Sequence, residues 1–153
     1  MRNQTKEQQE NIPKPEPEVL QNLAEAALEA RKKAYCPYSG FAVGAALLCE
    51  DGSVFCGCNI ENAAFTPGNC AERTALFKAV SEGKRNFTAI AIAGGKAGTE
   101  NLEPCPPCGV CRQVMREFCR EDFLILLAVS GTDYQICTLG ELLPRSFGPE
   151  QLK

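Results

Sequence analysis

Cys70-Ala71-Glu72 and Pro107-Cys108-Gly109-Val110-Cys111 each open a segment with helical spacing, and nothing else in the chain narrows its fold as much. Cys108 and Cys111 are three residues apart, which puts both sulfurs on one face of a helical turn. Cys70 offers a third sulfur from the start of a different helix. Helix N-termini lower thiol pKa and favour the thiolate, the form that ligates metal. Three protein ligands with a vacant fourth position is the plan of a catalytic zinc site rather than a structural one. Glu72, two residues from a ligand, can reach a zinc-bound water without ligating the metal. A plainer reading makes these ordinary core cysteines beside a surface glutamate. It leaves the spacing, the prolines and the missing histidines unconnected.

Composition sharpens the point. The chain holds 10 Cys and no His in 153 residues. Without imidazole, Ser-His-Asp and Cys-His catalysis are excluded, and a general base must be a carboxylate, Lys, Tyr or Cys. A transition-metal site must then be built mainly from thiolates. The N-terminal MRNQTKEQQENIPKPEPE has no apolar core, so no secretory signal is expected, and cysteines in a reducing cytosol read as ligands or buried hydrophobes rather than disulfides. No apolar run approaches the ~18–20 residues needed to span a bilayer. The formal net charge is −3 and the pI about 5.1, which argues against a broad cationic face for nucleic acid. A soluble cytoplasmic protein with one domain is expected.

Along the chain, Pro13, Pro15 and Pro17 alternate with charged residues, and residues 1–18 read as a flexible tail before a single domain over 19–153. Residues 19–34 carry a helical stripe of Leu20, Leu23, Ala24, Ala27 and Leu28. Phe41–Cys49 and Val54–Ile60 read as strands joined by a hairpin turn at Glu50-Asp51-Gly52-Ser53. The Cys70 helix ends at Gly83, with Asn69 or Thr66 as its candidate cap. Phe87–Ala93 reads as a buried strand, the Cys108 helix runs to Cys119, and Phe123–Val129 is apolar enough for a central strand. Tyr134–Thr138 is a weaker strand, followed by a short helix over Leu139–Leu143 that stops at Pro144. The pattern is α/β: one mixed sheet of about five strands layered with helices.

Pro104-Cys105-Pro106-Pro107-Cys108 offers a competing register. Pairing Cys105 with Cys108 would put the ligands in a Pro-Pro loop, where helical geometry cannot hold, so Cys108 with Cys111 is preferred. A closed four-cysteine site that includes Cys105 is the structural alternative.

Together, GCNIENAAF, NCAERTALFKAVSEG and PPCGVCRQVMREF resemble the cytidine deaminase family, in its small homotetrameric class, from about Tyr35 to Phe147. Zinc nucleobase deaminases carry H-x-E followed by P-C-x-x-C, with a three-cysteine variant that Cys70 fits. The resemblance implies a three-layer α/β/α sandwich and one Zn²⁺ per chain, held by Cys70, Cys108 and Cys111. It implies hydrolysis of the 4-amino group of free cytidine and 2′-deoxycytidine, as in pyrimidine salvage, with Glu72 as proton shuttle. Arg73, three residues beyond Cys70, resembles an arginine hydrogen-bonded to the ligand sulfurs, offsetting their excess negative charge. Arg112 is weighed for the same task.

Asn59-Ile60-Glu61 alternates at a strand end, so both polar side chains project to one face suited to ribose hydroxyls. The resemblance assigns them the sugar 3′-hydroxyl. It also places Phe41, Phe65, Ala71 and Phe147 at the substrate. The resemblance further implies that Phe147 is donated by a neighbouring subunit of a homotetramer with shared active sites. Phe65 stands where relatives often have Tyr, which leaves any hydrogen bond from that hydroxyl without its donor. A deaminase of a nucleoside antibiotic, a polynucleotide editor and a non-catalytic zinc module are the competing functions. The ribose pair argues against the first. The second would need strand-binding segments that the chain lacks, and the third leaves Glu72 without a purpose.

Overall fold

Successive side chains in a strand point to opposite faces, and here the two faces differ in bulk. The computed structural model describes residues 13–153. Its five strands are β1 (Phe41–Cys49), β2 (Val54–Cys58), β3 (Phe87–Lys96), β4 (Leu124–Ala128) and β5 (Tyr134–Thr138), in the order β2-β1-β3-β4-β5. β1 is antiparallel to β2 and β3, β3 is parallel to β4, and β5 closes the other edge antiparallel. The parallel β3–β4 step requires a crossover, and α3 (Gly109–Phe118) supplies it.

Leu47, Ile90, Ile92, Ile125 and Leu127 face α2 (Ala71–Ser81), α3 and α4 (Leu139–Leu142) in one buried cluster. Ala46, Ala89, Ala91, Ala93 and Ala128 face α1 (Pro17–Arg31), meeting its Leu20, Leu23, Ala24 and Ala27. Small residues on that face let α1 lie close to the sheet. At Gly44 the approach is backbone to backbone: a Cβ there would sit 2.1 Å from the Ala27 carbonyl oxygen. The layers are helix, sheet, helix, as expected.

The boundaries differ where tertiary contacts override local pattern. α1 starts at Pro17, a favoured first helical position, so residues 17 and 18 are helix rather than tail. Residues 1–12 of the expected tail lie outside the described residues. β2 stops at Cys58 because Asn59 turns its side chain onto β1. β3 runs on to Lys96, three residues past the apolar run, because Gly94, Gly95 and Lys96 pair with Val43, Ala42 and Phe41. Neither Asn69 nor Thr66 caps α2. Cys70 occupies that position without a side-chain cap, and the Asn69 amide instead donates to Thr74 Oγ1 at 3.3 Å. A 3₁₀ helix over Pro149–Leu152, too short for periodicity to reveal, ends the chain.

α2 approaches the sheet at Gly57 of β2. A Cβ there would lie 2.5 Å from Ala75 N and 2.6 Å from Ala71 O, both backbone atoms that cannot swing aside. Gly57→Ala should therefore destabilise the fold by about 3 kcal/mol, the upper end for overpacking. Urea denaturation of the two proteins checks this; an unchanged midpoint would show that α2 is free to shift.

Candidate metal and catalytic site

Two helix N-termini converge on one point. Cys70 caps α2 and Cys108 caps α3, both in extended backbone with no side-chain cap, which leaves each thiol free to turn toward the other. Cys111 follows in the first turn of α3. Their sulfurs all lie within 4.8 Å of one another, with Cys70 and Cys108 3.9 Å apart. A tetrahedral zinc thiolate, with Zn–S of ~2.3 Å, spaces its sulfurs by about 3.8 Å. The donor set and its spacing therefore fit zinc. Cys111 is buried while Cys108 is exposed, so the cluster opens to one side.

The three thiols do not behave alike. The neighbouring Cys111 thiol, and Arg73 beside it, bring the Cys70 thiol down to about 5. The same interaction, together with burial, pushes Cys111 up. Arg73 Nη2 donates to Cys70 Sγ at 3.1 Å. Burial opposes the guanidinium charge, but the bonds to Cys70 and Cys111 outweigh it and raise its pKa. Arg112 does something else: Nε and Nη1 donate to the carbonyls of Pro107 and Leu142, both at 2.7 Å. It braces the α3 start rather than the sulfurs.

Cys105 stands outside the group of three. Its Sγ packs over the sheet at Gly94, where a Cβ would meet it at 2.6 Å and the Phe41 ring at 3.3 Å. Burial pushes its thiol up to about 11.

Glu72 is the buried acidic side chain of the described residues, 5% exposed. Its Oε2 accepts from Cys111 Sγ at 3.7 Å, and burial pushes its pKa up. A carboxyl placed in the interior beside anionic sulfurs gains nothing for folding. Buried, perturbed carboxyls of this kind cluster at functional sites.

The two polar residues after β2 are organised differently from a simple strand end. Asn59 Oδ1 accepts from Val43 N and Nδ2 donates to Phe41 O, both at 2.8 Å. Glu61 Oε1 accepts from Tyr38 N at 3.0 Å and Ser39 N at 3.1 Å; hydrogen bonding by the Ser39 side chain first, and then by these amides, holds its carboxyl low. Both residues thus fix the chain that leads into Phe41. Phe41 is 44% exposed, with its ring edge over Gly94. Ala71, the first residue of α2, is fully buried. Phe65 and Phe147 project from surface loops, 85% and 58% exposed.

One contributor is hidden from local sequence patterns. Arg31 donates to the carbonyls of Ala42, Gly95, Lys96 and Thr99 and so ties α1 to the paired ends of β1 and β3. The apolar stripe through Leu20, Ala24 and Ala27 continues onto it, the one signal the sequence carries for that role. A cavity of about 680 Å³ at the far end of α3, lined by Phe87, Phe118 and Phe123 among others, contains no cysteine and no buried carboxylate.

Comparison with known proteins agrees with this geometry. Residues 17–127 match the family model described as the cytidine and deoxycytidylate deaminase zinc-binding region. The chain is 52% identical to a cytidine deaminase of Halalkalibacterium halodurans over 132 residues, covering 86% of this chain and 96% of that one. It is 47% identical to one from Sporosarcina psychrophila, covering 87% and 94%. The crystal structure of cytidine deaminase from Burkholderia pseudomallei superposes with a TM-score of 0.74 at 49% identity, covering 82% of this chain and 97% of that one. With its three sulfurs and buried glutamate at two helix starts, the chain belongs to the cytidine and deoxycytidylate deaminase family.

Proposed function

We propose that this protein hydrolyses the 4-amino group of free cytidine and 2′-deoxycytidine, giving uridine or 2′-deoxyuridine and ammonia, as in pyrimidine salvage. The observation that carries the reading is Glu72, a carboxyl kept buried against the sulfurs at an open metal position. Cys70, Cys108 and Cys111 hold one Zn²⁺ per chain. When bound, zinc supplies an electrophilic position that makes water nucleophilic at neutral pH. Glu72 takes a proton from the attacking water, delivers it to ring N3, and later helps protonate the departing amine. Arg73 spreads positive charge over the thiolates, which exceed the metal charge by one.

Substrate recognition is divided between two regions. The Tyr38 and Ser39 amides hold Glu61 through Oε1, and Oε2 accepts a ribose hydroxyl. Asn59 contributes a remaining amide hydrogen while holding Phe41, which lies against the pyrimidine. Ala71 offers its main chain to the base, and Phe65 shields the open side. The exposure of Phe65 and Phe147 supports a homotetramer in which Phe147 stacks on a neighbour's pyrimidine. The described thiols are unpaired, which suits work in the reducing cytoplasm, and no described helix is long and apolar enough to cross a membrane.

Glu72→Gln should keep its fold and zinc while losing about 10²- to 10⁴-fold in kcat on cytidine, because the ligands survive and the proton carrier does not. Near wild-type turnover by the zinc-loaded variant would sink the mechanism. Shared sites make a second outcome. Phe147→Ala chains mixed with Glu72→Gln chains should be more active than the two parents summed. Strict additivity after verified subunit exchange would place Phe147 in its own site or in the core.

A further inference from the structure

The segment after α4 has little secondary structure of its own, yet α3 grips it at successive points. Gln113 Nε2 donates to Phe147 O at 3.0 Å. Arg116 Nε donates to Ser146 Oγ at 2.8 Å, and its Nη2 pairs with Glu150. The Arg116 side chain is 12% exposed and its guanidinium lies on Gly148, where a Cβ would come within 2.5 Å of Cζ and 2.6 Å of both terminal nitrogens. Gly148 N in turn donates to Gln151 Oε1 at 2.6 Å. Just upstream, Arg145 sits in the left-handed region at φ 52°, which a non-glycine residue adopts only when its surroundings hold it there. Ser146 and Gly148 face inward on either side of Phe147, whose ring points out.

We propose that Arg116, assisted by Gln113, is a positioning residue that aims Phe147 at the substrate of the neighbouring subunit. This rests on the reading that Phe147 stacks on that pyrimidine. A ring on a free C-terminal segment would lose conformational entropy each time it stacked. Bonds to the residues on both sides of Phe147, and to its own carbonyl, meet that loss during folding instead. α3 therefore serves two sites: its cap and first turn carry Cys108 and Cys111, while Gln113 and Arg116 hold out an aromatic for another chain's site.

A double-mutant cycle on the zinc-loaded enzyme tests this, with KM and kcat for cytidine measured for Arg116→Ala, Phe147→Ala and the double variant. Arg116→Ala should raise KM about threefold to tenfold, a fraction of what a lost base–aromatic stack costs, with kcat and zinc content nearly unchanged. In the Phe147→Ala background the same change should add nothing, because it acts through that ring. Multiplying effects, or an unchanged KM in Arg116→Ala while Phe147→Ala raises it, would overturn the positioning role alone. An unchanged KM in Phe147→Ala would overturn the stacking reading and this proposal with it. Should Arg116→Ala fail to fold, Gln113→Ala, an exposed change that removes one hydrogen bond, takes its place in the cycle. A raised KM that vanishes in the Phe147→Ala background would again support the positioning role, and multiplying effects would again overturn it.

Discussion

Three sulfurs within 4.8 Å of one another cannot all be thiolates unless positive charge sits among them. At an effective dielectric near 20, each pair of unit charges 4 Å apart repels by about 4 kcal/mol. A helix N-terminus offsets ~0.3–1 kcal/mol, so two helix ends and one arginine do not balance three such pairs. Without metal the cluster keeps one low thiol, Cys70, and a raised one at Cys111. A divalent ion supplies the balance, and the surrounding structure is arranged to hold the sulfurs ready for it. Gly57 lets α2 settle on the sheet, Arg112 braces the loop entering α3, and Arg73 closes over Cys70.

The burial of Glu72 belongs to the same arrangement. The helix that places Cys70 at its cap places Glu72 two residues on, facing the interior beside Cys111. Fold stability would be better served by an apolar residue there. On the proposed reaction the carboxyl is tolerated because the chemistry needs a proton carrier that touches the same water and the same base.

Much of this is legible in the sequence because it depends on short-range spacing. Cys108 and Cys111 at i and i+3, the apolar periodicity of α1 and the strand β1 are properties of a few consecutive residues, and each lies where its pattern predicts. Rejecting Cys105 as a ligand also needs only local geometry, since a Pro-Pro loop cannot present two sulfurs as a helical turn does. What the sequence hides depends on partners distant in the chain. That Asn59 spends its amide on Phe41 and Val43 is invisible without the β1–β2 pairing. Arg31 looks like the polar end of a helix until β1 and β3 bring four carbonyls to it. Arg112 follows Cys111 and so suggests a bond to the sulfurs, yet its place on the α3 turn directs it to Pro107 and Leu142. The C-terminal turn around Arg145 and Gly148 has no periodicity, and only its docking on α3 makes it ordered structure.

Three cysteines from two helix starts are placed to hold zinc and leave one position open. X-ray absorption at the zinc edge of the purified, zinc-loaded protein tests it most directly. Three sulfurs at about 2.3 Å and one lighter atom near 2.0 Å should be found. A shell of four sulfurs would bring Cys105 into the site, close the metal to substrate and contradict the account.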